Sequence, residues 1–233
     1  KAVMSKPIFS TLSTGDLVLA SASVTRAKLL EDAGLGFCQY PVSIDEGAVR
    51  AAGVAEDIPA QDIAVMLAEM KAAAAVQRLD AEHLAPPAYV LGCDQILVCD
   101  ELIYNKPEDI VAAKAQLSAL SGKTHQLLTA VVLFQYGKRI WHHLSVADMT
   151  MRQFDNEFID FYLGKLGKAA VFSPGSYQIE SIGVQLFSQI RGCYYSILGI
   201  PLLELMAILR EHGLSPLDTK FQNKSESRLG CGL

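Results

Sequence analysis

The chain has 233 residues, 51% of them hydrophobic and 19% charged, which is enough apolar material for a sizeable core and excludes global disorder. Its formal net charge of −5 gives no general electrostatic reason to coat nucleic acid or an anionic membrane. Any phosphate it binds must be held by a local cluster of Lys and Arg, which means a small ligand in a pocket.

Residues 1–15 and 214–233 are Ser-, Thr- and Lys-rich with weak periodicity, and are read as flexible extensions around a body at 16–213. The first residues lack the basic, apolar and small-residue succession of a signal peptide. No run approaches the roughly 18 apolar residues needed to cross a bilayer. Five scattered cysteines form no C-x-x-C pair and no zinc-like spacing, which fits a reducing cytoplasm.

Residues 17–20 read as an apolar strand, and residues 25–33 as an amphipathic helix that Gly34 ends. Between them stand Ser21 and Ser23, with Arg26 in the first helical turn. The first turn has backbone N–H groups without intrahelical partners and the positive end of the helix dipole. Hydroxyls and a guanidinium beside it make a phosphate site. A serine cap followed by a solvated arginine is the plainer reading of this segment alone.

Residues 37–44 read as strand, leading into an acidic loop at Asp45-Glu46. A long helix at 61–79 carries Ile63, Leu67, Met70 and Ala74 on one stripe, with Lys71 at its margin. Strand follows at 89–92 and 95–99, and between them Asp94 sits in an otherwise apolar run. An unpaired carboxylate there needs a metal, a cation or a cleft. Asp100-Glu101 reads as a turn and 102–104 as another strand.

Lys106 precedes Pro107, which is expected to open a helix from its first position and bury Ile110, Leu117 and Leu120 before Gly122. Residues 126–134 read as a central strand and 139–151 as a more polar one. A helix is expected at 154–166, short strands at 184–190 and 194–198, and a last helix opened by Pro201 and closed by Gly213. His125 and the His142-His143 pair read as structural, since neighbouring strand residues face opposite sides. The whole is one α/β unit with a mixed sheet.

Taken together, these segments offer a basic and hydroxylic cradle, two candidate metal carboxylates and extra lysines. Hydrolysis of a phosphoanhydride needs those parts. No G-x-x-x-x-G-K-S/T loop exists in the chain, so an ATPase-type cradle is absent.

Between about residues 17 and 213 the chain resembles the Maf family of nucleoside triphosphate pyrophosphatases, also called septum-formation-inhibitor-like proteins. The matching segments are Ser21-x-Ser23-x-x-Arg26, Asp45-Glu46, Lys71-Ala72, Gly92-x-Asp94-Gln95, Lys106-Pro107, Ser121-Gly122-x-Thr124-His125 and Gly192-x-Tyr194-Tyr195-x-x-x-Gly199-x-Pro201.

The resemblance implies an elongated α/β fold like the inosine triphosphate pyrophosphatases, with a mixed sheet, flanking helices and two lobes around a cleft. It implies hydrolysis of a nucleoside triphosphate to the monophosphate and pyrophosphate with Mg²⁺ or Mn²⁺, in a cytoplasmic homodimer that binds neither nucleic acid nor membrane. On the same ground Asp94, Lys106 and Lys71 are the expected catalytic residues. Ser21, Ser23 and Arg26 bind phosphate, and Glu46 with Asp94 holds the metal. Thr25 stands where many relatives carry another arginine. Gln95 and Glu180 resemble the branch that acts on 7-methyl-GTP rather than dTTP or UTP. A carboxylate suits that base, because it accepts from the guanine N1–H and amino group and offsets the methylated ring's charge. A non-catalytic nucleotide-binding regulator of septum formation is the alternative.

Overall fold

The computed structural model describes residues 3–4, 16–82 and 87–214. Eight strands form one mixed sheet: β1 (Val3–Met4), β2 (Leu17–Leu19), β3 (Cys38–Gln39), β4 (Tyr89–Cys99), β5 (Leu102–Tyr104), β6 (Thr124–Gln135), β7 (Lys138–Met151) and β8 (Phe187–Arg191). Their order is β1-β3-β2-β4-β6-β7-β8, and β5 pairs with β4 off that path. β2 runs parallel to β3 and β4, while the remaining pairs are antiparallel. Apart from Val3–Met4 and Leu214, the extensions expected at the two ends lie outside the described residues.

The helices are α1 (Val24–Asp32), α2 (Glu46–Ala55), α3 (Ala60–Ala81), α4 (Ile110–Leu120), α5 (Asn156–Leu166), α6 (Tyr194–Ile197) and α7 (Leu202–Glu211). Strand alternation sorts the core. Leu17, Leu19, Leu91 and Cys93 pack with α1 and α7, whereas Val18, Val90 and Ile96 pack with α3. The far ends of β4, β6 and β7 join α4 and α5 in a separate cluster around Leu117, Met149, Ile159 and Tyr177. The long strands thus run from a first core, on both faces of the sheet around β2 and α3, into a second around α4 and α5, and the expected mixed sheet with flanking helices is present.

Several elements differ from expectation. The strand expected at 37–44 is two residues long, because Pro41 has no N–H to continue the ladder. Glu46 opens the helix α2 instead of lying in a loop, capped by the Asp45 carboxylate, which accepts from Ala48 N at 2.9 Å. Asp109 similarly caps α4, accepting from Ala112 N at 2.8 Å, so Pro107 stays in the preceding loop and Ile110 is exposed. Asp155 caps α5, which begins at Asn156. A 3₁₀ turn at Ile182–Leu186 delays the eighth strand. The strand expected at 194–198 is the short helix α6.

In α3 the buried stripe runs through Ile63, Leu67, Ala68, Lys71, Ala72 and Ala75, and Met70 is exposed. The small residues on that stripe let the helix lie close against the sheet. A Cβ on Gly92 of β4 would stand 2.0 Å from the Ala68 carbonyl oxygen and 3.0 Å from Ala72 Cβ. Only glycine fits there.

His125 is buried in the second core, with Nε2 2.7 Å from the Tyr177 hydroxyl. Burial pushes its imidazole down to about 4, so it is neutral in the folded protein. The unfolded chain takes up that proton below its ordinary value near 6.5. Stability is therefore full above that pH and falls as the medium acidifies, by about 3 kcal/mol at most from this group. Urea denaturation at several pH values should show the loss, and His125→Gln should flatten it. Among the described residues no helix is long and apolar enough to cross a membrane.

Candidate active site

Where β2 ends, the chain turns through Ser21 into the start of α1. Ser23 caps the helix, its Oγ accepting from Arg26 N at 3.3 Å. Ser21 Oγ accepts from Ser23 N and from Arg26 Nη1, each at 3.2 Å. The cap reading holds for Ser23. Arg26 is buried, not solvated: Nε donates to Gly199 O at 2.9 Å and Nη1 to Cys93 O at 3.2 Å. One guanidinium thereby ties the helix start to β4 and to the turn before α7. Gly199, at φ +112°, leaves the space it needs, since a Cβ there would lie 3.0 Å from Arg26 Nε.

Period-two alternation puts Gly92 and Asp94 of β4 on the face turned toward α3. Lys71 meets Asp94 there, Nζ to Oδ1 at 2.6 Å. The same ammonium lies 2.7 Å from Glu46 Oε1, at the start of α2. Asp94 is 2% exposed, and its Oδ2 is buried with no hydrogen-bond partner. Burial raises the Asp94 carboxyl above its usual range, with Lys71 opposing and Glu46 assisting. For Glu46, burial also acts upward, but the attraction and hydrogen bond of Lys71, then Arg50 and Lys106, outweigh it and hold the group below its usual value. Burial lowers Lys106, an effect that Arg26 and Lys71 reinforce and Glu46 and Asp94 resist.

Gln95 points to the opposite face. Its amide nitrogen donates to Thr129 Oγ1 at 2.9 Å, Ser196 O at 3.1 Å and Ile197 O at 3.0 Å. Thr129 Oγ1 also donates to Ser196 O at 2.9 Å. These bonds capture the backbone of α6 and explain why 194–197 coils instead of extending. They leave the Gln95 amide oxygen, not its NH₂, for a ligand.

One cleft of about 770 Å³ collects these groups. Ser21, Ser23 and Arg26 line one part of its wall, and Glu46, Lys71, Asp94 and Lys106 another. Thr25, Gln95 and Glu180 line it as well. Glu180 is exposed and has no hydrogen-bond or ion-pair partner among the described residues. Two further residues escape a reading of the sequence. Arg50 donates to Glu46 Oε2 from Nη1 at 3.3 Å and Nη2 at 3.2 Å. Its signal is the i,i+4 spacing from Glu46, which is visible only once 46–55 is recognised as a helix. Phe172, 63% exposed on the cleft wall, lies in a stretch without any pattern.

The model of the Maf-like protein family matches residues 16–212. The chain belongs to the Maf family. A 7-methyl-GTP pyrophosphatase of Brucella abortus biovar 1 is 47% identical over 197 residues, which is 84% of this chain and 96% of the relative. A nucleoside triphosphate pyrophosphatase of Paramagnetospirillum magneticum is 45% identical over 196 residues, 84% of this chain and 98% of its own. A 7-methyl-GTP pyrophosphatase of Mesorhizobium japonicum is 43% identical over 200 residues, 86% and 98% of the two chains.

For this Maf protein a divalent cation is the implied cofactor, and the donor set fits one. Asp94 Oδ2 is an orphaned buried oxygen, and carboxylate oxygens suit hard cations such as Mg²⁺ or Mn²⁺. Among the described residues no cluster of three or more His, Cys, Asp or Glu forms a complete cage.

Proposed function

We propose that this Maf protein hydrolyses a nucleoside triphosphate at the α–β anhydride, giving the monophosphate and pyrophosphate, with a 7-methylated guanine nucleotide preferred. The observation that carries the reading is Asp94: a cleft-lining carboxylate, buried, held by Lys71 on one oxygen and without a hydrogen bond on the other. A pure nucleotide binder has no use for that group, which disfavours the regulator reading.

Asp94 accepts a proton from the attacking water, and the elevated basicity that burial gives its carboxylate improves it as an acceptor. Water's oxygen bonds to the α-phosphorus, the bond to the α–β bridging oxygen breaks, and pyrophosphate leaves. Arg26 and the α1 N-terminus hold the phosphate chain, while Lys71 and Lys106 offset the charge that builds on it. Asp94 and Glu46 would hold the cation, which when bound neutralises phosphate charge and polarises the phosphoryl group.

Base preference rests on Glu180 and Phe172. Glu180 offers an unpaired carboxylate to the Watson–Crick edge of guanine, and a uracil or thymine carbonyl is repelled by it. Phe172 presents a ring face, and a methylated guanine is cationic, so stacking gains a cation–π component. The four described cysteines Cys38, Cys93, Cys99 and Cys193 are free thiols, which supports the cytoplasmic setting. Dimerisation belongs to the same proposal on family grounds.

A pyrophosphate-release screen over 7-methyl-GTP, GTP, UTP and dTTP with Mg²⁺ or Mn²⁺ tests the activity. Binding without metal-dependent release would establish the regulator instead. Phe172→Ala should raise KM for 7-methyl-GTP about tenfold and that for GTP less, with kcat nearly unchanged. Glu180→Gln should narrow the gap between 7-methyl-GTP and UTP. Equal effects on all nucleotides would remove both residues from base selection.

A further inference from the structure

Glu46, Asp94, Lys71 and Arg50 form a closed square of alternating charge. Lys71 bridges the two carboxylates at 2.7 and 2.6 Å on one side. Arg50 bridges them on the other, bonding Glu46 Oε2 at 3.2 Å and standing 4.0 Å from Asp94 Oδ2. Both oxygens of Glu46 are thus occupied by protein cations. Arg50 is largely enclosed, its side chain 15% exposed, and its Nε is buried without a partner, so it is held by the site more than by solvent. Arg26 acts electrostatically on Asp94 and Lys106 on Glu46, so four cationic groups surround the two anionic ones.

We infer that Arg50 is a positioning residue that closes this square and thereby keeps the carboxylates from taking up a free divalent cation, so that the metal enters only together with a triphosphate. The inference deepens the proposed pyrophosphatase reading and rests on it. A lone dication approaching Glu46 and Asp94 meets a field already neutralised by Lys71 and Arg50 and made positive by Arg26 and Lys106. A triphosphate reverses that sign, since its oxygens draw the cationic side chains and supply the ligands the protein lacks. The enzyme then selects metal-loaded nucleotide over either component.

Direct Mn²⁺ binding by electron paramagnetic resonance, on nucleotide-free protein, tests this. Wild type should bind Mn²⁺ only in the millimolar range or more weakly. Arg50→Gln, with one positive charge removed beside both carboxylates, should bind it at least about tenfold more tightly. Arg50→Lys, which keeps the charge, should stay close to wild type, and circular dichroism verifies that each variant is folded. A folded R50Q protein with less than about a threefold gain overturns the proposal. The wild-type arm needs no substitution: micromolar Mn²⁺ uptake by nucleotide-free wild type overturns it alone. Hydrolysis is not the readout, so a failure to release pyrophosphate counts against the proposed activity and leaves this test standing.

Discussion

Asp94→Asn should lower kcat by roughly a thousandfold while leaving the protein folded and able to bind nucleotide. The amide cannot take a proton from water, which removes the acceptor without removing the shape. Its carbonyl oxygen still receives the Lys71 ammonium, and Lys71 keeps Glu46 at 2.7 Å, so no buried charge is stranded. Since burial already disfavours the ionised form of Asp94, a neutral isostere in that place is mild for stability. The check is single-turnover kinetics beside a denaturation midpoint. Turnover near wild type would move the proton acceptor elsewhere.

Gly92→Ala should cause the largest loss of stability, about 3 kcal/mol, because the new methyl meets a backbone atom that cannot rotate away. The Ala68 carbonyl, at 2.0 Å from the Cβ position, moves only if α3 moves. For a chain of this size that lowers Tm by about 6–12 °C. Displacing α3 also draws Lys71 away from Asp94, and a shift of about 1 Å in such a site lowers turnover by around a hundredfold. Gly164→Ala serves as the control. It lies on the exposed face of α5 with nothing within 4 Å of its Cβ position, so it should raise stability by about 0.5–1 kcal/mol. Calorimetry on the pair separates a helix-lifting clash from a general dislike of alanine.

Much of the site was legible in the sequence because its residue types stand out against their surroundings. Asp94 interrupts an apolar run, and two serines with Arg26 sit where a strand meets a helix. Strands β6 and β7 are equally clear, whereas the two segments expected at 89–92 and 95–99 are one continuous strand that pairs with β6 through Asp94. What escaped depended on tertiary contacts. The helix α2 starts at the Asp45 cap, where the sequence reads as an acidic loop, so the i,i+4 pairing of Arg50 with Glu46 is hidden. The helical turn of α6 is imposed by Gln95 of β4 and Thr129 of β6, which no local pattern shows. Pro107 reads as a helix start in the sequence, but the Asp109 carboxylate competes better for the exposed N–H groups of α4. Met70 was placed in the buried stripe because hydrophobicity alone ranks it above alanine. Close approach to Gly92 favours the smaller side chains instead.

Adjacent residues 94 and 95 project from opposite faces of one strand, the first to the Lys71 ammonium and the second into the clasp on α6. A change at position 95 therefore slackens the α6 latch and perturbs its neighbour's carboxylate through a shared peptide unit. Libraries that vary position 95 alone should yield mostly sluggish variants. Productive changes at 95 will be paired with changes at 129, in which the second restores the latch that the first has loosened.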